Sequence, residues 1–255
     1  MTREFSVTAR PSLPLRTRSR AFALLLAVSV LPGAASAGAQ SKTEVFVLAT
    51  LYQRHATTPA YSHDSLRAII LRIDPAVVVL DVSPTELRDR TVAPSKAEYP
   101  EVIFPLVAAE GYQAYAGEPD EPTFTEIVTG LGEALRRFRS EQPALAEADK
   151  AFGEAAFAAL SRLWQSPADV NSAATDQVLR ARREYQDRLA GPAVAEAWRR
   201  WNDHALGVVA QARADNPERR ILVLIGVENC GPLRQALGQT PGVTLVDVEA
   251  WLRRT

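Results

Sequence analysis

The sequence predicts an α/β protein with a split, mostly parallel sheet, built from strands at both ends of the chain and interrupted by a large all-helical insertion at about residues 123–215. Three observations carry this. EVFVLAT (44–50), AVVVL (76–80) and RILVLI (220–225) are nearly unbroken apolar or β-branched runs, the pattern of strands covered on both faces. Residues 123–215 keep helical spacing of apolar residues and show no strand signal. Neither flank of that insertion can bury its apolar faces alone, so strands from both must share one sheet.

The elements follow in order. Arg3, Arg10, Arg16, Arg18 and Arg20 precede the apolar run Ala21–Leu31, which is too short to span a bilayer, and small residues at 35–39 follow it. Residues 1–39 therefore read as a secretory signal peptide, cleaved after Ala37 or Ala39, which exports residues 40–255 as a single domain. After the first strand, Leu51–His55 is a turn and 56–61 a loop. Ser62 caps a helix carrying Leu66, Ile69, Ile70 and Ile73, which Asp74-Pro75 ends. The second strand delivers Asp81, and Ser83-Pro84-Thr85-Glu86 is a capping box. A right-handed βαβ unit makes the first two strands neighbours. Residues 88–100 are polar and loop-like. A short helix over 101–110, bent or started at Pro105 and stopped by Gly111, leads to a third strand at 112–116 and the acidic loop 117–122. Within the insertion, breaks fall at Gln142-Pro143, Ser166-Pro167 and Gly191-Pro192, with one helix at about 175–189. The strand at 220–225 opens into a turn at 226–232, where Asn229 reads as the N-cap of a helix at 233–237. A last strand covers 243–246.

Ligands of open α/β sheets sit beyond the carboxyl ends of the strands. There the sequence places Tyr52, Arg54 and His55, then Asp81, then Glu118, then Glu228 and Asn229. Carboxylates from separate strand ends with an imidazole are the composition of a site for a divalent metal such as Mn or Zn, or of an acid/base pair. His55, Asp81 and Glu228 are the candidate catalytic or metal-ligating residues; Tyr52, Arg54, Glu118 and Asn229 are candidate ligand contacts. Each also has a plainer reading: His55 in a solvated loop, Asp81 as a helix-dipole partner, Asn229 as a cap. LATLYQRH contains no glycine, which excludes a dinucleotide turn, and no GxxxxGK[ST] loop or GxSxG elbow occurs. Without the first 39 residues, 24 basic residues face 29 acidic ones, no footprint for nucleic acid. The single cysteine, Cys230, reads as a buried structural thiol.

VFVLATLYQRH, the strand ending VVVLD, and ILVLIGVEN followed by LRQAL and TLVDVEAWL resemble the superfamily that joins TIKI, TraB, ChaN and erythromycin esterase proteins. The resemblance implies a split α/β core with helices inserted between its halves. It also implies G-x-x-H-like turns after the first and late strands and an acid after the second; some members are metal-dependent hydrolases, and ChaN binds haem. Here Ala49 and Tyr52 stand at the first motif's glycine and histidine, Asp81 at the commoner glutamate and Asn229 at the second histidine, while Gly226 is kept. The expectation is an exported TIKI/ChaN-like hydrolase acting on a small molecule or peptide, with the insertion as its cover. The alternatives are a binder of haem or another small apolar ligand, with Tyr52 or His55 as axial ligand and Trp164, Trp198 and Trp201 around it, or a catalytically silent member.

Overall fold

The computed structural model describes residues 42–254, so the expected signal peptide and its cleavage points lie outside the described residues. Strands β1 (Thr43–Thr50), β2 (Val77–Leu80), β3 (Gln113–Ala116), β4 (Ile221–Gly226) and β5 (Val243–Leu245) form one all-parallel sheet in the order β3-β2-β4-β1-β5. The split core is therefore as expected, but β1 and β2 are not neighbours. β4 lies between them, paired with β1 from Val45↔Ile221 to Thr50↔Gly226 and with β2 from Val77↔Ile221 to Leu80↔Leu224. Burial alone does not set this order, because β2 is as fully buried as β4; an unbroken apolar run requires cover on both faces but does not name the neighbouring strand, and the pairing seats β4 between β1 and β2.

The outer edge of β1 outruns its partner. β5 pairs only with residues 43–45, and the β1 backbone beyond it is closed by side chains from elsewhere. Arg234 Nη2 donates to Val47 O (2.9 Å), Ala49 N–H donates to Asn171 Oδ1 (2.9 Å), and Tyr61 Oη donates to Ala49 O (2.8 Å). Leaving such buried groups unpaired would cost about 1–3 kcal/mol each.

The helices start and stop where local chemistry dictates. Ser62 Oγ accepts from Ser65 N–H at the head of α1 (His63–Ile73), and both halves of the Ser83/Glu86 capping box form at α2 (Pro84–Asp89). A π turn at Tyr99–Ile103 leads into α3 (Phe104–Glu110), which ends at Gly111 with φ 70°, in the left-handed region that glycine tolerates. The insertion comprises α4 (Thr123–Glu141), α5 (Pro143–Leu163), α6 (Pro167–Val170), α7 (Ala173–Ala190) and α8 (Pro192–Asp215). Proline at the first position of α5, α6 and α8 ends one helix and begins the next. Helices α5 to α8 share the core of the sheet: Leu160, Val170, Leu179, Ala205 and Val209 are buried with the strand residues. Trp164 belongs there too. It is buried and its Nε1 donates to Thr175 Oγ1 (3.0 Å), so it packs the core.

One loop expectation is overturned. Residues 226–232 are not an extended turn, because α9 (Val227–Gly238) begins directly after β4, with Gly226 as its N-cap and Pro232 inside it. Glu228 and Asn229 lie in its first turn, so Asn229 is not the cap. Helix α10 (Val248–Arg253) closes the chain. No helix among the described residues is long and apolar enough to cross a membrane.

Candidate functional site

The carboxyl edge of the sheet holds a cavity of about 280 Å³. Its floor is polar, with Tyr52, Asp81, Glu118, Glu228 and Asn229. Its walls are apolar, from Ile127, Val128 and Leu131 of α4 and Ala197, Trp198 and Trp201 of α8. Five of the seven residues expected at the site are thus brought together. His55 and Arg54 are not among them.

Asp81 is buried at the end of β2. Its Oδ2 accepts from Tyr52 Oη (2.5 Å) and from Gly226 N–H (3.1 Å), while its own N–H donates to the Tyr99 hydroxyl (2.9 Å). Tyr52 reaches this position by adopting φ 52°, a left-handed conformation that costs a non-glycine residue about 1–3 kcal/mol. Three contacts offset the strain: the bond to Asp81, Gln53 N–H to Ser95 O (2.8 Å), and the histidine lock described below. Burial and the neighbouring Asp81 charge push the Tyr52 phenol well above its ordinary range, so it remains a donor. Gly226 makes the arrangement possible, since a Cβ there would lie 2.6 Å from Tyr52 Cζ.

Glu118 arrives from the end of β3. Gly117 lets the backbone pass close to β2, where a Cβ would stand 2.8 Å from Leu80 O; Gly117 N–H donates to Leu80 O (2.7 Å) and Glu118 N–H to Val82 O (3.1 Å). The carboxyl is buried and is lifted to about 8, first by burial and then by the Asp81 charge, against the pull of Lys96. Lys96 supplies a cation for the site. Its Nζ donates to Glu118 Oε1 (2.6 Å), to the backbone carbonyl of Asp81 (2.9 Å) and to Glu86 Oε2 (3.4 Å). Burial works against its charge, but the Glu118 and Asp81 carboxylates outweigh it and raise its pKa. Below the floor, Glu98 is fully buried with neither carboxyl oxygen hydrogen-bonded; the Thr50 hydroxyl faces it outside bonding geometry, and burial lifts the acid to about 7.

His55 is corrected from ligand to structural lock. It is buried, its Nδ1–H donates to Tyr61 O (2.7 Å), and its Nε2 accepts from Leu51 N–H (2.9 Å). Those partners define the neutral tautomer, because Nδ1 meets an acceptor and Nε2 a donor. Burial pushes its pKa down to about 4. With both nitrogens committed to backbone, His55 has no lone pair for a metal or a haem iron. Among the described residues, no group of three His, Cys, Asp or Glu side chains is arranged to hold a metal ion. The set His55, Asp81 and Glu228 therefore does not fit Mn or Zn.

Arg54 points elsewhere, its guanidinium over the Phe157 ring (4.3 Å), in a second, larger cleft. Glu228 borders both spaces and pairs with Arg183 (3.8 Å), which itself stacks on Trp198 (3.6 Å). Cys230 is buried, as expected, and burial pushes its thiol up to about 12.

Sequence reasoning missed Lys96, Glu98 and Tyr99. They occupy a polar stretch with no periodicity, and only the tertiary path of that loop, tied at Ser95 to the Tyr52 turn, carries them under the strand ends. No family model matches the chain, and no curated protein or solved structure compared with it matches either.

Proposed function

We propose that this chain is an exported, TIKI/ChaN-like α/β hydrolase that acts on a small molecule with an apolar body, using carboxyl acid/base chemistry at the sheet edge. One observation carries the reading: two buried carboxyls, Asp81 and Glu118, delivered by separate strand ends, line one cavity whose remaining walls are mostly apolar. Environments that make two acids differ are how a site obtains an acid and a base at one pH. Glu118, whose pKa is raised by burial and then by the Asp81 charge, serves as the acid toward the leaving group. Asp81, oriented by Tyr52 and Gly226, serves as the base that takes a proton from the attacking water. Lys96 holds Glu118 and the Asp81 carbonyl in register, and Glu228 and Asn229 contact the substrate at the polar floor of the cavity.

The test is a screen of chromogenic esters, amides and glycosides with small apolar groups, followed by Asp81→Asn and Glu118→Gln. Each substitution is expected to lower kcat by about 10²–10⁴, the usual contribution of a positioned acid or base. A wild type that hydrolyses none of them, or folded variants that keep its rate, would end the reading.

The second reading is binding without turnover, and Trp198 and Trp201 in the cavity wall favour it. Quenching of tryptophan fluorescence by a ligand that is recovered unchanged would select it. Haem is not retained as that ligand. The cavity sits at the lower end of small-molecule pockets, and both ring nitrogens of His55 are committed to backbone.

A further inference from the structure

The helical insertion encloses a cleft of about 870 Å³ between the turn at Tyr52–Thr57 and helices α4, α5 and α7. Its wall carries both signs of charge, and two of its charged side chains have buried hydrogen-bonding atoms without partners. Asp149 is 8% exposed; its Oδ2 accepts from Gln186 Nε2 (3.0 Å), while its Oδ1 has no partner. Arg182 has a buried Nε with no acceptor, and its guanidinium lies against Gly153, where a Cβ would stand 3.4 Å from that Nε. A buried acceptor and a buried donor left open are each destabilising by about 1–3 kcal/mol or more. Both atoms are covered as the side chains stand, so a ligand engages them by turning each side chain toward the cleft; one that brings a donor to Asp149 and an acceptor to Arg182 removes both penalties. Arg54, stacked on Phe157 at the same cleft, keeps the edge of its guanidinium available for an anion. Phe157 and Phe138 add apolar wall.

We propose that this cleft is a second binding site, for a small zwitterion of the α-amino acid or short-peptide class with an apolar side chain, its ammonium at Asp149 and its carboxylate at Arg182 and Arg54. The proposal does not depend on hydrolysis at the sheet edge, since Asp149 and Arg182 line only the cleft.

Calorimetric titration of the whole protein with L-leucine and the dipeptide Leu-Leu tests it, beside leucinamide, which lacks the carboxylate, and N-acetyl-leucine, which lacks the ammonium. At least one of the two zwitterions is expected to bind, with both blocked analogues weaker by about tenfold or more, the cost of a lost charge-assisted hydrogen bond. Asp149→Asn should erase the preference over N-acetyl-leucine, and Arg182→Gln the preference over leucinamide. Should either variant fail to fold, Gly153→Met replaces it: the added side chain fills the cleft from a helix that gains propensity on losing glycine, and binding should vanish. Absence of heat with both zwitterions, equal binding of the blocked analogues, or binding that survives these substitutions overturns the proposal.

Discussion

Gly226 and His55 decide at the scale of single residues whether the site exists. A Cβ at position 226 collides with the Tyr52 ring, so Gly226→Ala must displace Tyr52 from Asp81 or bend the end of β4. It is expected to destabilise the protein by about 1–3 kcal/mol, read from chemical unfolding, and to lower activity or ligand affinity at the sheet-edge cavity. His55 holds Leu51 and Tyr61 together across the turn, and His55→Ala leaves both backbone groups without partners. The expected loss is about 2–4 kcal/mol. Because the imidazole serves backbone, thermal melts should show the same loss with chelator and with added Mn²⁺ or Zn²⁺; a metal-dependent loss would return His55 to the role of ligand.

At the scale of elements, Arg234 of α9 joins three parts of the fold. It pairs with both Asp176 oxygens on α7 (3.0 and 2.9 Å), donates to Val47 O on β1, and donates to Asn171 Oδ1 (2.8 Å), whose amide oxygen also accepts from β1. This one side chain closes the β1 edge that β5 is too short to cover, and it holds the helical insertion against the sheet. Arg234→Leu is expected to cost about 3–5 kcal/mol, since it strands a mostly buried carboxylate along with two backbone or amide acceptors. Urea unfolding measures it. The double variant with Asp176→Leu should recover part of the loss, because no charge is then left unpaired.

For the whole molecule, the buried titratable groups set how stability follows pH. Glu118 and Glu98, lifted to about 8 and about 7, bind protons in the fold that the unfolded chain releases near 4.5, so their contribution is full below 4.5 and is lost as pH rises through 7 and 8. His55 has the opposite sign: its pKa is lowered from 6.5 to about 4, so its contribution is full above 6.5 and is lost as pH falls toward 4. Two acids outweigh one imidazole, and stability should fall by about 2–4 kcal/mol between pH 5 and pH 8. Melting temperatures across that range check the sign. Glu98→Gln, which imitates the protonated acid, should shrink the difference; a protein more stable at pH 8 than at pH 5 contradicts the burial assigned to these groups.

Much of the architecture was legible in the residues themselves because it depends on local or one-dimensional signals. Unbroken apolar runs identified β1, β2 and β4 as buried strands, Ser62 and the Ser83/Glu86 box marked helix starts, and prolines 143, 167 and 192 marked the joints of the insertion. The same signals put Tyr52, Asp81, Glu118, Glu228 and Asn229 at strand ends, and all five line one cavity. Tertiary structure alone decided strand order, since an apolar run says that a strand is buried and not which strand lies beside it; β4 took the place expected of β2. It alone decided the role of His55, because a histidine's chemistry depends on what its two nitrogens meet, and both meet backbone. It alone brought in Lys96, whose cationic role arises from a loop with no periodicity folding under Asp81 and Glu118, a long-range contact that no spacing in the chain encodes.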